Sequence, residues 1–133
     1  MSTRALIGKE NPNNTITSVY CHHDGYPVNG VGEILTKHYN SIEDINALLA
    51  LGCLSSLKET LEDSCFYIRD RKGKEHSNSA ITDYKAIEFA QNCKHSGADY
   101  AYVYKNNGWY FTSRASGFKA FTNLTEYLKH NKN

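Results

Sequence analysis

The chain has no surplus charge of either sign: 15 Lys and Arg stand against 14 Asp and Glu in 133 residues, leaving +1. A general nucleic-acid binder carries a basic excess or stripe, and a protein imitating DNA carries an acidic one. The balance weighs against both, so nucleic acid is not an expected partner. Long apolar runs are also missing. The opening "MSTRALIGKE" has no signal-peptide core, and no segment approaches the roughly 20 apolar residues that cross a bilayer. The expectation is a soluble, intracellular chain with no membrane partner. Cys21, Cys53, Cys65 and Cys93 form no C-x-x-C pair, and the six histidines form no H-x-x-x-H pair. No metal or cofactor is expected, and the cysteines read as free thiols filling a core. "GVG" at 30–32 could offer N–H groups to an anion, but it lacks the lysine and the length of a P-loop. Repeats and low-complexity tracts are absent.

What is present is a globular composition, 40% apolar and 22% charged, of a size that buries a core as one domain over 1–133. "TRALIGKE" and "TITSVYCHH" are β-rich runs joined by the turn-forming "NPNN", which predicts an antiparallel hairpin. Its second strand places Val19 and Cys21 on one face and Ser18, Tyr20 and His22 on the other. Asn29 is positioned to cap a helix with a stripe of Val31, Ile34, Leu35, His38 and Tyr39. "SIEDINALLALG" predicts a second helix, capped by Ser41 and ended by Gly52. "SSLKETLED" reads as one short extra turn or helix and "SCFYIRD" as a strand. Residues 70–79 read as a mobile polar loop, and "TDYKAIEFAQNCKHSG" as a helix with Tyr84, Ile87 and Cys93 on its stripe. Asn107-Gly108 predicts a two-residue hairpin turn, which sets Tyr104 opposite Phe111 and Tyr102 opposite Ser113. Tyr100, Tyr102, Tyr104, Trp109 and Phe111 then share one face. A short helix from Asn123, with Glu126 three residues on, closes the chain. The expected architecture is α+β: an antiparallel sheet of about five strands with helices packed on one face.

Chemistry concentrates in "YCHHDGYP", residues 20–27. Cys21 beside a histidine could supply a nucleophile and a base, and His22, His23 and Asp24 are metal-donor types. Geometry opposes both. Adjacent strand residues point to opposite faces, and Cys21 and His23 would lie about 6–7 Å apart along the strand. The preferred reading is a strand end and a bend, with Asp24 holding the turn and Gly25 and Pro27 aiming the chain onward. Between these stands a recognition reading, in which His22, His23 and Tyr26 are presented on the exit loop. The aromatic face is weighed as core against a base-stacking surface for single-stranded nucleic acid, and core is preferred. Arg4 is expected exposed; an inward Arg4 would need a carboxylate, with Asp24 a candidate.

"TRALIG", "SVYCHHDGYP" followed by "VGEIL" and "HYN", "LLALG" and "YVYKNNGWYF" together resemble a family of small proteins carried by bacteriophages and mobile elements. The likeness covers most of the chain, and "YCHHDGYP" is its most specific block. The spacer from Pro27 to Val31 is a residue longer than that pattern has. What the resemblance implies is an accessory protein in the cytoplasm of an infected bacterium, without catalysis. Its expected partner is a host defence protein, such as a CRISPR–Cas effector, which it binds and blocks. The residues expected to touch the partner are His22, His23, Asp24 and Tyr26 on the exit loop and Arg71, Lys72 and Lys74 on the polar loop. The alternatives are an enzyme or nucleotide-signal binder using Cys21, His22, His23 and Asp24, and a single-strand nucleic-acid binder. An edge strand leaves a homodimer open to such a sheet.

Overall fold

The computed structural model describes residues 2–131, and of His76 the backbone alone. Its centre is two hairpins laid side by side. β1 (Ala5–Glu10) pairs antiparallel with β2 (Ile16–Cys21), with Ile7 opposite Val19 and Leu6 opposite Tyr20. The turn between them closes through Asn11 N–H to Thr15 O, 2.8 Å, and Asn14 N–H to Asn11 O, 2.9 Å. β6 (Tyr100–Lys105) and β7 (Gly108–Ser113) form the second hairpin. The two are joined by a parallel pairing of β1 with β6, Ala5 beside Tyr100 through Lys9 beside Tyr104.

Four short strands complete a mixed sheet of order β4-β3-β2-β1-β6-β7-β8. They are β3 (Leu54–Ser56), β4 (Cys65–Phe66), β5 (Ile81–Asp83) and β8 (Thr122–Asn123), with β5 also pairing β2. The expected five-stranded antiparallel sheet is therefore corrected twice. Among the described residues it has eight strands, and its central contact is parallel. The extra strands are two or three residues long, too short to leave an alternation in the sequence.

Helices cover both faces, where one was expected. α1 (Val31–His38), α2 (Ile42–Ala50) and α6 (Leu124–Asn131) bury Val31, Leu35, Ile45, Leu48 and Leu124 with Ala5, Ile7, Val19, Tyr102 and Trp109. α5 (Ala86–His95) packs Phe89, Ala90 and Cys93 on the opposite face, with Leu6, Ala101 and Val103. The reason lies in β1 and β6, which bury successive side chains and so demand a cover on each side.

"SSLKETLED", expected as a short turn or helix, is the turn: β3 leads into it, and the Ser64 hydroxyl donates to Thr60 O and accepts from Lys58 N–H. "SCFYIRD" is strand only at Cys65–Phe66. Asp70 then accepts from Phe66 N–H at 2.8 Å and starts α3 (Tyr67–Arg71), so the polar loop is largely helical, with α4 (Glu75–Asn78) after it. The stripe read on α5 is also corrected. Tyr84 and Ile87 are 72% and 64% exposed, because Asn92 donates to Asp83 of β5 at 3.0 Å and fixes the helix in another phase. Gly30 rather than Asn29 precedes α1, whereas Ser41 caps α2 as expected, accepting from Asp44 N–H.

Candidate functional site

The octet at 20–27 does finish a strand. Beyond Cys21 the chain stays alongside β3, with His22 N–H to Leu54 O at 3.1 Å and His23 N–H to Ser55 O at 2.9 Å. It then folds back under the N-terminal segment through Gly25 N–H to Thr3 O. A Cβ on Gly25 would stand 3.0 Å from Thr3 O and from the Arg4 carbonyl carbon, so only glycine admits this crossing without displacement. The bend is held by main-chain carbonyls: Asp24 O accepts from Val31 N–H and Tyr26 O from Gly32 N–H. Asp24 itself has φ of 57°, and its carboxylate, which was expected to hold the turn, is exposed.

The polar side chains diverge. Cys21 is fully buried among core residues, donates to His23 O at 3.6 Å, and has its thiol pushed up to about 12 by burial. Such a thiol carries almost no thiolate at neutral pH. His22 lies on the other face, its Nδ1 2.7 Å from the Tyr20 hydroxyl. Burial, then His23, then Arg4 hold its imidazole below the ordinary histidine range. The His23 ring meets His22 edge-on at 4.6 Å, and its Nδ1 is 2.9 Å from Ser2 Oγ. Among the described residues no three His, Cys, Asp or Glu side chains are gathered so as to hold a metal ion.

Tyr26 is the large apolar side chain of the octet that opens outward, 45% exposed, beside the exposed His23 and Asp24. It forms one wall of a groove of about 670 Å³ with Tyr100, Phe111 and Tyr127, with Asp99 and Thr122 at its margin. Phe111 packs edge-on against Tyr127 at 4.8 Å and tilts against Tyr100 at 6.4 Å, so the aromatic wall is braced. Among the described residues no lysine or arginine lines the groove. Tyr100, Asp99 and Tyr127 escaped the sequence reading as site residues. The tyrosine alternation is visible in the sequence but favours a core over a binding surface, and Tyr127 comes from the distant last helix. The core assignment itself holds for Tyr102, Trp109 and Phe111, which are buried and so withdrawn from base stacking.

Arg71, Lys72 and Lys74 lie at and after the end of α3, all exposed, with Lys72 in the left-handed conformation. They line no wall of the Tyr26 groove. The Tyr67 phenol at the start of α3 is pushed up by burial, against the hydrogen bond with Ser55 and the Arg71 charge, which pull it down. The expected contact residues thus fall on two surfaces. Arg4 is partly buried rather than exposed, with Nε enclosed and, among the described residues, without a partner, and its terminal nitrogen lies beside Gly97.

No family model, curated protein or solved structure matches this chain. Among the described residues no helix is long and apolar enough to cross a membrane.

Proposed function

We propose that this chain is a binding protein without catalysis, a phage-borne accessory protein that seats on a host defence protein in the bacterial cytoplasm and occludes its working surface. The observation that carries the binding half is the Tyr26 groove. Tyrosine on a fixed backbone is the anchor type that concentrates binding energy in protein interfaces, because it offers large area for little conformational entropy. Here the backbone of Tyr26 is held by the Asp24 and Tyr26 carbonyl bonds to the start of α1. The groove presents aromatic faces and the Asp99 carboxylate and, among the described residues, no cation, which suits a partner segment led by a lysine or arginine. The absence of catalysis is supported by Cys21 and His22 facing opposite sides of the sheet. The choice of a defence protein rests on the likeness of the "YCHHDGYP" block to phage-borne proteins.

The test is affinity capture from a bacterial lysate by the wild-type chain and by Tyr26→Ala, followed by assay of the captured protein. A stoichiometric host protein that loses its activity when bound, and is no longer captured by Tyr26→Ala, is the expected result. Capture that is unaffected by Tyr26→Ala, or a partner that keeps full activity, would sink the reading.

A further inference from the structure

Along its outer edge β2 has two neighbours: β5 at Ile16–Ser18 and β3 at Cys21. Between them, at Val19 and Tyr20, the edge is split, and Tyr20 N–H turns to Cys53 Sγ at 3.4 Å. A cavity of about 320 Å³ lies at this split, on the face that carries α5. Leu6, Tyr20 and Ile81 are among the residues that line it. Asn78, Asn92, His95 and Ser96 bring amide, imidazole and hydroxyl groups to the rim, and no carboxylate lines it.

Two buried side-chain polar atoms are without a partner among the described residues, Ser18 Oγ and Arg4 Nε. Both belong to this face, Ser18 within the cavity lining and Arg4 outside it, beyond Ser96 and Gly97. Ser18 is 2% exposed and lines the cavity, opposite Gly8 in the β1–β2 register. Arg4 precedes Leu6 by two residues, lies against Gly97 next to Ser96, and its charge acts on both Tyr20 and His22. Buried polar atoms are nearly always satisfied, and an orphan in a cavity wall marks a place for a ligand group. The Ser18 and Arg4 rows are four extended residues apart, about 13 Å. A ligand that meets Ser18 and Arg4 at once therefore carries its two recognised groups well apart, as a base and a 5′-phosphate are.

We propose that this cavity binds a small organic anion of the nucleoside-monophosphate class, with its planar head beside Tyr20 and Ser18 and its phosphate at Arg4. The volume is at the lower end of small-ligand sites, and suits one base and its ribose rather than a dinucleotide. Tyr20 offers a ring for stacking. The Nδ2 of Asn92 is spent on Asp83 and that of Asn78 on Lys74 O, which leaves their Oδ1 atoms to accept from an exocyclic amine. The Asp83 carboxylate beside the rim is already held by Asn92, no carboxylate is among the lining residues, and Arg4 lies near, which favours an anionic ligand over a cation. This site lies apart from the Tyr26 groove and shares none of its lining residues.

The experiment is calorimetric titration of the full chain with AMP, GMP, CMP and UMP, the matching nucleosides, and inorganic phosphate. Wild type should bind at least one monophosphate, and its nucleoside about tenfold or more weakly. Ser18→Ala should weaken both by about tenfold, the loss of one buried hydrogen bond, while the ligand-free melting temperature stays level or rises, since an unsatisfied hydroxyl has been removed. Arg4→Gln should bring the monophosphate down to the level of the nucleoside, and the wild-type comparison of the two reads the same interaction without any variant. Failure of all four monophosphates to bind overturns the proposal. So does binding that Ser18→Ala leaves unchanged, a nucleoside equal to its monophosphate, or a Ser18→Ala chain that is less stable without ligand, which would mean the hydroxyl serves the fold.

Discussion

The Tyr102 hydroxyl donates to the Gly25 carbonyl across 2.6 Å in the buried interior, binding the centre of the sheet to the bend that ends β2. This single bond joins the two features that the sequence makes most conspicuous, the tyrosine-rich strand and the histidine octet. Tyr102→Phe keeps the ring and its packing between Tyr100 and Phe111 but strands a buried carbonyl. A lost partner of that kind costs about 1–3 kcal/mol. Urea unfolding should show the midpoint fall at unchanged slope. Equal stability of the two proteins would mean that water replaces the phenol at no cost.

The second hairpin turns one residue earlier than the Asn-Gly pair predicts. Lys105 pairs with Gly108 and Tyr104 with Trp109, while Asn106 and Asn107 hold the positive φ values of 51° and 60°. Asparagine tolerates that conformation, so Asn-Asn can make the turn and Gly108 enters the strand. The shift moves the register by two, which keeps the aromatic residues on their expected face. Asn106→Val or Asn107→Val should cost about 1–2 kcal/mol. Gly108→Thr, whose Cβ meets nothing within 4 Å, should change stability by no more than about 0.5 kcal/mol. The opposite ranking in thermal unfolding would restore the Asn-Gly turn.

The legible parts of the molecule are those whose signal is local. The β1–β2 hairpin follows from alternation around "NPNN", and α2 from Ser41, an acidic first turn and Gly52 at φ of 84°. The strand end at Cys21 follows from the two-residue period, which also separates Cys21 from His22. What stayed hidden is tertiary. β3, β5 and β8 exist because a longer neighbour offers hydrogen-bonding groups. The phase of α5 depends on Asn92 reaching Asp83, and the parallel seam between β1 and β6 leaves no mark in either segment. The groove was half legible: Tyr26 could be singled out from its turn, but its facing wall is brought by Tyr100 and Tyr127 from later elements.

The cysteines should sort by burial. Cys65 is partly exposed, while Cys21 and Cys93 are buried and both pushed up to about 12, mainly by burial. In the native protein Cys65 should react first with an aromatic disulfide reagent, and Cys21 and Cys93 only at the rate of unfolding. A thiol whose folded value is raised stabilises the fold below its unfolded value, near 9, and that contribution is lost as pH climbs from about 9 toward 12. Stability should therefore decline through that alkaline window, and less steeply in Cys21→Ala. Rapid modification of Cys21 at neutral pH would contradict its placement in the core.

The acid side depends on His22. Its imidazole is held low by burial first, then by the neighbouring His23 and Arg4, so the unfolded chain takes up this proton before the folded one does. Between the unfolded value of about 6.5 and the lower folded value, the unfolded state binds more protons, and stability falls as pH falls. Below the folded value the loss levels off, because both states are then protonated. Proton NMR of the ring should place His22 below an ordinary histidine, and Arg4→Gln should move it upward by removing one of the two positive neighbours. Tyr20→Phe removes the hydroxyl 2.7 Å from Nδ1 and reports how far that contact, rather than charge, sets the protonation of the ring. A His22 that titrates above 6.5, or that ignores Arg4→Gln, would mean that the imidazole faces water and that Arg4 does not turn toward Tyr20 and His22.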